Sequence, residues 1–182
     1  AAVICVEDPL REEAADAVRE LKEAGITKVV MMTGDSERTA AAIAKRVGVD
    51  EYYSEVLPED KAAFVEKEKE LGNKVIMIGD GINDSLALSS ASVGIAISDG
   101  AAIAREIADV TISADNLHEI VTLKRLSTAL MKRIHNNYRT IIGVNGGLIA
   151  LGVTGVIMPT TSALLHNMST LTISLRSMRN LL

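Results

Sequence analysis

The sequence predicts an α/β fold with a mainly parallel sheet, followed by a long helix and a hydrophobic helical hairpin. Short apolar runs alternate with helical segments up to about residue 115, which implies right-handed crossovers and a sheet covered on both faces. The polar stretch Gly79 to Asp84 directly follows one apolar run, where an open α/β sheet binds its ligand. The later run from Thr140 to Leu175 contains no Asp, Glu, Lys or Arg.

Apolar strand segments and longer helical segments alternate in the α/β part. In chain order we predict strand 3–6, helix 11–24, strand 28–32, helix 37–47, a strand near Tyr52, helix 58–71, strand 74–78, helix 83–90, strand 93–97, helix 101–107 and strand 110–112. Pro58 suits the first turn of its helix, and Asn83 or Asp84 suits an N-cap. This part is expected to form one domain, residues 1–115.

Residues 116–138 are predicted to form one stalk helix, because no Gly or Pro interrupts their helical periodicity. The recurring apolar residues are Leu117, Ile120, Val121, Leu123, Leu130, Met131 and Ile134. A stiff helix of this kind would carry a rearrangement of the sheet into the hairpin as rigid-body motion. The alternative for its first half is a surface helix that closes the α/β domain.

The uncharged run predicts a transmembrane hairpin at 139–182, with helices of roughly Arg139 to Met158 and Thr161 to Leu182. A spanning helix needs about 17 to 25 apolar residues, and Pro159 marks a turn near the middle of the run. Cations flank both outer ends, which places those ends in the cytoplasm by the positive-inside rule. The alternative is a buried helix pair of a soluble protein.

Charge is divided unevenly along the 182 residues, whose net charge is −5. No acidic residue follows Glu119, and the later cations are Lys124, Arg125, Lys132, Arg133, Arg139, Arg176 and Arg179. We expect no nucleic-acid binding, because these cations flank apolar stretches and aromatic residues make up only 2% of the chain. Cys5 is the single cysteine, so the chain holds neither an internal disulfide nor a thiolate metal site.

The stretch Gly79 to Asp84 predicts a magnesium site at the end of a strand. Asp80 and Asp84 are four residues apart on a glycine-containing turn, and carboxylate oxygens beside phosphate are suitable ligands for Mg²⁺. Asn83 adds a carboxamide. The alternative is an ordinary strand-to-helix turn in which Asn83 or Asp84 caps the helix.

Two further motifs contain groups that neutralise a transferring phosphoryl group. Thr33, Gly34 and Asp35 end another short strand, where a hydroxyl and backbone amides can hold phosphate oxygens. Lys61 lies in the first turn of the helix that Pro58 begins, and would point to the same sheet edge. Taken singly, each motif also fits a capped helix or a solvated lysine.

In this order and spacing, the three motifs resemble those of the haloacid-dehalogenase-like phosphoryl-transfer fold. Ala2 to Arg11 and the GDGIND form of residues 79–84 narrow the resemblance to the phosphorylation domain of a P-type ATPase. The resemblance implies ATP as substrate, Mg²⁺ bound by Asp80 and Asp84, and an aspartyl-phosphate held by Lys61 and Thr33. It also implies a membrane location, with the phosphorylation domain in the cytoplasm of a bacterium.

The nucleophile of that family is an aspartate in a DKTGT sequence, which does not occur in these 182 residues. Asp8 precedes a proline and Asp16 lies within a predicted helix, so neither replaces it. The resemblance therefore implies that the nucleophile strand, the middle strand of the sheet, and the nucleotide-binding domain lie upstream of Ala1. We expect a C-terminal fragment that is inactive alone and whose partner is the missing N-terminal part.

Polar residues inside the hairpin predict an ion pathway, because polar groups are costly in a membrane. The candidates are Asn145, His166, Asn167 and Ser169. Imidazole, carboxamide and hydroxyl groups suit a divalent transition-metal cation, although the same groups also form interhelical hydrogen bonds. By resemblance, this segment is similar to the last two membrane helices of heavy-metal-translocating P-type ATPases. The Tyr-Asn and Met-x-x-Ser patterns of copper-type members are absent.

Two functions follow from these observations. The first is the C-terminal part of an ATP-driven heavy-metal exporter. The second is a non-catalytic, membrane-anchored module that is derived from such a pump and serves in binding or regulation.

Overall fold

The helices and strands are defined in a computed structural model that describes residues 10–79, 83–97, 106–112 and 116–180. In chain order they are α1 (Ala14–Glu23), β1 (Val30–Met32), α2 (Glu37–Val47), β2 (Glu51–Tyr53), α3 (Pro58–Glu70), β3 (Ile76–Gly79), α4 (Ser85–Ser90), β4 (Val93–Ile97), β5 (Val110–Ile112), α5 (His118–Val153) and α6 (Pro159–Ser177). The chain divides into two compact units, Ala1–Thr122 and Leu123–Leu182.

The predicted alternation of strands and helices is confirmed wherever the structure describes the chain. The bounds of α2, β4 and β5 match the predicted ones, whereas the first helix begins at Ala14 rather than Arg11. It begins later because residues 11–13 form a turn, in which the Ala14 amide donates to the Arg11 carbonyl. The predicted strand 3–6 and residues 101–105 of the predicted helix 101–107 lie outside the described residues.

All pairs of described strands are parallel, as predicted. β1 pairs with β2, with Met31 opposite Tyr52, and β4 lies between β3 and β5, with Ile95 opposite both Ile78 and Val110. The strands thus form a two-stranded and a three-stranded sheet. The sequence predicts a single sheet, but no hydrogen bond joins these two sheets among the described residues.

Small residues on the inner helix faces let the helices pack closely on the strands. Ala40 and Ala44 of α2 are buried and four residues apart, and Ala62 and Val65 of α3 are buried and three residues apart. The α3 pair packs with Ala87 of α4 into one cluster, against Val75 and Met77. The largest fully buried side chains are Leu88, Ile95, Val65 and Val121.

Helix α4 and strand β4 are in close contact at Gly94. A Cβ atom on Gly94 would lie 2.6 Å from the Leu88 carbonyl oxygen, so this position has no room for a side chain. The Gly94 amide donates to Oδ2 of Asp109 at 2.8 Å, which holds the start of β4 to the residue before β5. Gly94 therefore sets the distance between α4 and the sheet.

A lysine and an aspartate hold α1 to the start of β1. Lys22 Nζ donates to the Gly48 carbonyl at 2.9 Å and to Asp50 Oδ1 at 2.7 Å, while Asp50 Oδ2 accepts from the Val29 amide at 2.7 Å. The Lys22 hydrogen bond is the main reason that the pKa of the Asp50 carboxyl lies below its usual value. These contacts fix where β1 starts.

The predicted stalk and the first hairpin helix form one continuous helix, α5. It ends at Val153 rather than Met158, because the Gly155 and Val156 amides donate back to the Gly152 and Leu151 carbonyls and stop the helix there. Helix α6 then begins at Pro159, which is suited to a first helical position, rather than at Thr161. The first hairpin helix therefore ends five residues earlier than predicted, and the second begins two residues earlier.

The membrane-spanning character of the predicted hairpin is not confirmed. Within the described residues, neither α5 nor α6 combines the length and the apolar content that a membrane span requires. In α6 the reason is visible in the sequence, since 11 of its 19 residues carry polar or charged side chains. In α5 the charged residues are concentrated in the half before Thr140.

Candidate functional site

The turn after β1 is closed by the Thr33 hydroxyl. Oγ1 of Thr33 donates to Asp35 Oδ2 at 2.9 Å and accepts from the Asp35 amide at 3.1 Å. The backbone of Thr33 is tied to the end of β2, because its amide donates to the Tyr53 carbonyl and its carbonyl accepts from the Val56 amide. Thr33, Gly34 and Asp35 therefore form one exposed turn at the carboxyl end of the two-stranded sheet.

Three residues that the sequence analysis did not single out hold this turn in place. Glu37, in the first turn of α2, accepts hydrogen bonds from Tyr52 Oη at 2.8 Å and from Ser54 Oγ at 2.5 Å. The two hydrogen bonds keep the pKa of the Glu37 carboxyl below its usual value, and the bond from Ser54 has the larger effect. The bond to Glu37 also raises the pKa of the Tyr52 phenol. Together the two bonds fasten the start of α2, which follows the loop containing Thr33 and Asp35, to β2 and to the residue after it.

Helix α3 starts two residues after Val56, whose amide contacts Thr33. This short connection positions Lys61. The Leu57 amide donates to Asp60 Oδ2 at 3.2 Å, and Pro58 occupies the first helical position. The Lys61 amide donates to the Leu57 carbonyl at 3.3 Å. Lys61 therefore lies in the first turn of α3, on a helix whose start is fixed by a capping carboxylate.

Lys61 and Asp84 form a direct ion pair. Nζ of Lys61 lies 2.7 Å from Oδ1 of Asp84, and the two side chains are 16% and 11% exposed. Asp84 is the N-cap residue of α4, and it is the buried charged residue among those described. The structure thus brings together two of the predicted site residues that are 23 positions apart.

Asp84 also lies against Gly79, the last residue of β3. A Cβ atom on Gly79 would lie 2.5 Å from Asp84 Oδ2, so the carboxylate occupies the space that a side chain would fill. That second oxygen accepts no hydrogen bond from a described residue, which leaves it available to a hard cation at the strand end. In this respect Asp84 fits the predicted magnesium site.

The other predicted residues of this site are placed as follows. Asp80, the second proposed magnesium ligand, lies outside the described residues. Asn83 is exposed immediately before Asp84. In the described part of the chain no three His, Cys, Asp or Glu side chains form a metal-binding group, and no hydrogen bond links the Thr33 turn to Lys61 or Asp84.

A second group of predicted residues lies between α5 and α6. Nδ1 of His166 is 2.9 Å from Oδ1 of Asn145, and both residues line a groove of about 640 Å³ together with Asn167. A carboxamide oxygen only accepts, so in this contact Nδ1 carries a proton, and Nε2 is the ring nitrogen that Asn145 leaves unused. Three of the four proposed ion ligands thus border one groove.

Ser169 lies along a different groove, which also includes Gly143 and Thr172. Its hydroxyl donates to the His166 carbonyl at 2.8 Å, within the same helix. Ser169 therefore does not line the groove that His166, Asn145 and Asn167 border.

Comparison with known proteins shows what the chain is similar to. Residues 1–92 match the family of haloacid dehalogenase-like hydrolases. The zinc-exporting P-type ATPase of Mycobacterium marinum (strain ATCC BAA-535 / M) is 37% identical over 178 residues, which is 97% of this chain and 24% of that protein. Copper-transporting ATPase 2 of Rhizobium meliloti (strain 1021) is 43% identical over 165 residues, 91% of this chain and 20% of that protein.

Solved structures agree with these sequence relationships. A zinc-transporting PIB-type ATPase in its E2.Pi state superposes with a TM-score of 0.84 at 34% identity, covering 92% of this chain and 27% of that one. The chain spans about a quarter of the length of the curated relatives that it matches. The predicted relationship is confirmed: the chain belongs to the haloacid dehalogenase-like hydrolase family, and its homologues over most of its length are heavy-metal P-type ATPases.

Proposed function

We propose that this chain is the C-terminal part of an ATP-driven heavy-metal cation exporter that works through an aspartyl-phosphate intermediate. The observation that carries the proposal is the Lys61–Asp84 ion pair at the end of β3, in a chain related to metal-exporting P-type ATPases. Residues 1–115 would belong to the phosphorylation domain, 116–138 to a stalk and 139–182 to the membrane part. The acceptor aspartate would lie outside these 182 residues.

In the phosphoryl-transfer step, an oxygen of the acceptor carboxylate attacks the γ-phosphorus of ATP and the bond to the β–γ bridging oxygen breaks, which releases ADP. Negative charge on the transferring oxygens must be neutralised. The Lys61 ammonium, already oriented by Asp84, would supply one positive charge. The Thr33 hydroxyl, which donates to Asp35 Oδ2 in this structure, would donate to a phosphoryl oxygen instead. The turn containing Gly34 and Asp35 would hold that hydroxyl in place.

Asp84 and Asp80 would hold Mg²⁺, with Asn83 beside them. When bound there, Mg²⁺ would neutralise the negative charge on the transferring phosphoryl group. The close approach of Asp84 Oδ2 to Gly79 supports this assignment, since it keeps a carboxylate oxygen at the strand end.

The polar content of the two C-terminal helices is compatible with a position among other membrane helices. The hydroxyls of Thr140, Thr154, Ser169, Thr170, Thr172 and Ser177 each donate to a backbone carbonyl three or four residues earlier. A hydroxyl satisfied within its own helix is far less costly to place in lipid than an unpaired one. The helices would then face other helices of the pump rather than lipid alone.

The transported cation would bind beside His166. Its Nδ1–H donates to Asn145, which is the arrangement that orients a metal-binding imidazole and leaves Nε2 as the ligand atom. Asn145 would therefore orient the imidazole, and Asn167 would add an oxygen from the same groove. Ser169 would have the smaller role of fixing the helix backbone at His166. Imidazole and oxygen ligands favour zinc, cadmium, manganese or iron(II) over copper(I).

The test is formation of the phosphoenzyme from labelled ATP in the complete protein. Asp84→Asn and Asp80→Asn should each abolish it, because each removes a charge that holds a divalent cation beside phosphate. Glu59→Gln is the matched control, since Glu59 is an exposed acid two residues from Lys61. Wild-type phosphoenzyme levels in Asp84→Asn would overturn the site.

The 182-residue chain alone should show no ATP hydrolysis, because the acceptor aspartate and adenosine pocket would be elsewhere. Magnesium-dependent turnover by the pure chain would contradict the proposal. A complete protein without a DKTGT sequence would favour the non-catalytic, membrane-anchored module instead.

A further inference from the structure

Four cationic side chains line one groove between α5 and α6. The groove has a volume of about 470 Å³, and its lining residues are Ala129, Lys132, Arg133, Asn136, Asn137, Arg176, Arg179 and Asn180. Three carboxamides therefore accompany the four cations, and a single alanine is the only apolar residue. A lining of this kind is suited to an anion that also accepts hydrogen bonds.

No acidic side chain balances this charge within the second unit, since residues 123–182 contain neither Asp nor Glu. Arg133 is used within the fold: its guanidinium donates to the carbonyls of Ser177 and Asn180 at 3.0 and 2.8 Å, and so caps the end of α6. Among the described residues, Lys132, Arg176 and Arg179 form no ion pair with an acidic group. In the described part of the chain, these three cations therefore line the groove without an acidic side chain to compensate them.

The groove lies at the boundary between charged and uncharged sequence. Arg176 is the first charged residue after the run Thr140 to Leu175, and Lys132 and Arg133 precede that run on the other helix. If the run is within a bilayer, these side chains are at the level of the lipid phosphates, where Lys and Arg place their charged ends.

We propose that this groove binds the phosphate of an anionic phospholipid headgroup. The proposal rests on the membrane position in the proposed function. Arg176 and Arg179 would donate charge-assisted hydrogen bonds to the phosphate oxygens, with Lys132 as a further point charge. Asn136 and Asn180 would bond the polar headgroup. The site lies on the helices but uses none of the proposed ion ligands.

The test counts lipids bound to the full 182-residue chain by native mass spectrometry, with phosphatidylglycerol and phosphatidylcholine as probes. Phosphatidylglycerol should bind preferentially. Arg176→Gln should weaken its binding about fivefold, the effect expected for one cation near a lipid surface. The matched control is Arg139→Gln, which removes the cation at the other end of the uncharged run but does not line the groove. Arg179→Gln provides a second variant of the groove.

If Arg139→Gln and Arg176→Gln weaken phosphatidylglycerol binding equally, the lipid is attracted by the net positive charge of the chain rather than by the groove. That result would overturn the proposal. Displacement of phosphatidylglycerol by inorganic phosphate at similar concentration would assign the groove to a free anion and would also overturn it. Resistance of the chain to carbonate extraction from phosphatidylcholine vesicles tests the membrane premise separately. An extractable chain would overturn the membrane part of the proposed function, whereas an inserted chain without lipid preference would overturn only the lipid site.

Discussion

Lys61 Nζ and Asp84 Oδ1 are 2.7 Å apart, and their pairing joins the first turn of α3 to the N-cap of α4. Both side chains are largely removed from water, at 16% and 11% exposure. Removing one partner of a desolvated pair leaves the other charge without compensation, which costs more than the loss of an exposed pair. The same ion pair therefore contributes to the stability of the fold and holds two residues of the proposed phosphoryl-transfer site.

Lys61→Met should destabilise the first unit by about 3 kcal/mol, because it leaves the Asp84 carboxylate buried without its cation. The measurement is urea unfolding of the chain at neutral pH. Lys67→Met is the control, since Lys67 is an exposed lysine of the same helix. In the double variant Lys61→Met, Asp84→Asn, part of the loss should be recovered. Simple addition of the two losses would contradict a direct interaction.

Gly79→Ala should destabilise the chain by about 1–3 kcal/mol, because the new Cβ would collide with the Asp84 carboxylate and displace it. Phosphoenzyme formation in the complete protein should fall as well. Gly34→Ala adds the same methyl group where the nearest atom is 3.9 Å away, and should leave the unfolding midpoint nearly unchanged. Equal midpoints for both variants would mean that Asp84 tolerates the displacement.

Glu37→Gln should lower stability at pH 7 and have less effect at pH 3. The folded-state pKa of Glu37 lies below its ordinary value of 4.5, so its contribution is present above that pH and is lost as the pH falls through the folded-state value. Urea midpoints at the two pH values measure this difference. Glu23→Gln, at an exposed position of α1, is the control. A loss that is the same at both pH values would exclude an ionic contribution.

His166→Ala in the complete pump should lower ATPase activity stimulated by a divalent transition metal. Phosphorylation by inorganic phosphate should remain, since by family resemblance that reaction needs no bound transport ion. His135→Ala is the control, because it removes an imidazole from α5 that bonds only the carbonyl of Met131. Unchanged metal stimulation would exclude His166 from the ion path and make Asn145 the next candidate. A parallel loss of both reactions and of protein yield would indicate packing alone.

Local signals explain why much of the fold was predictable. Helix α2 was predicted with both bounds, since Ser36 precedes it and Gly48 ends it, and β4 and β5 followed from short apolar runs. The proximity of Lys61 and Asp84 was predictable because each follows the carboxyl end of a parallel strand, Lys61 after β2 and Asp84 after β3.

Tertiary contacts explain the rest. The hydrogen bonds from Tyr52 and Ser54 to Glu37 join residues 15 and 17 positions apart, and no local pattern indicates them. The end of α5 depended on which of several glycines would stop the helix, and spacing alone did not identify Gly155. The run Thr140 to Leu175 was considered as a whole because it contains no charged residue. Its second part, α6, is nevertheless rich in polar side chains.

The side chain at position 94 affects the position of Asp84, although the two residues are not in contact. The missing side chain of Gly94 allows the Leu88 carbonyl to lie against β4, and the Leu88 amide in turn donates to the Asp84 carbonyl at 2.8 Å. A larger residue at position 94 would lift the final turn of α4 and tilt its first turn, which contains Asp84. In related chains that retain phosphoryl transfer, residue 94 is therefore expected to remain small. In related chains that have lost this activity, larger residues are expected to occur at this position.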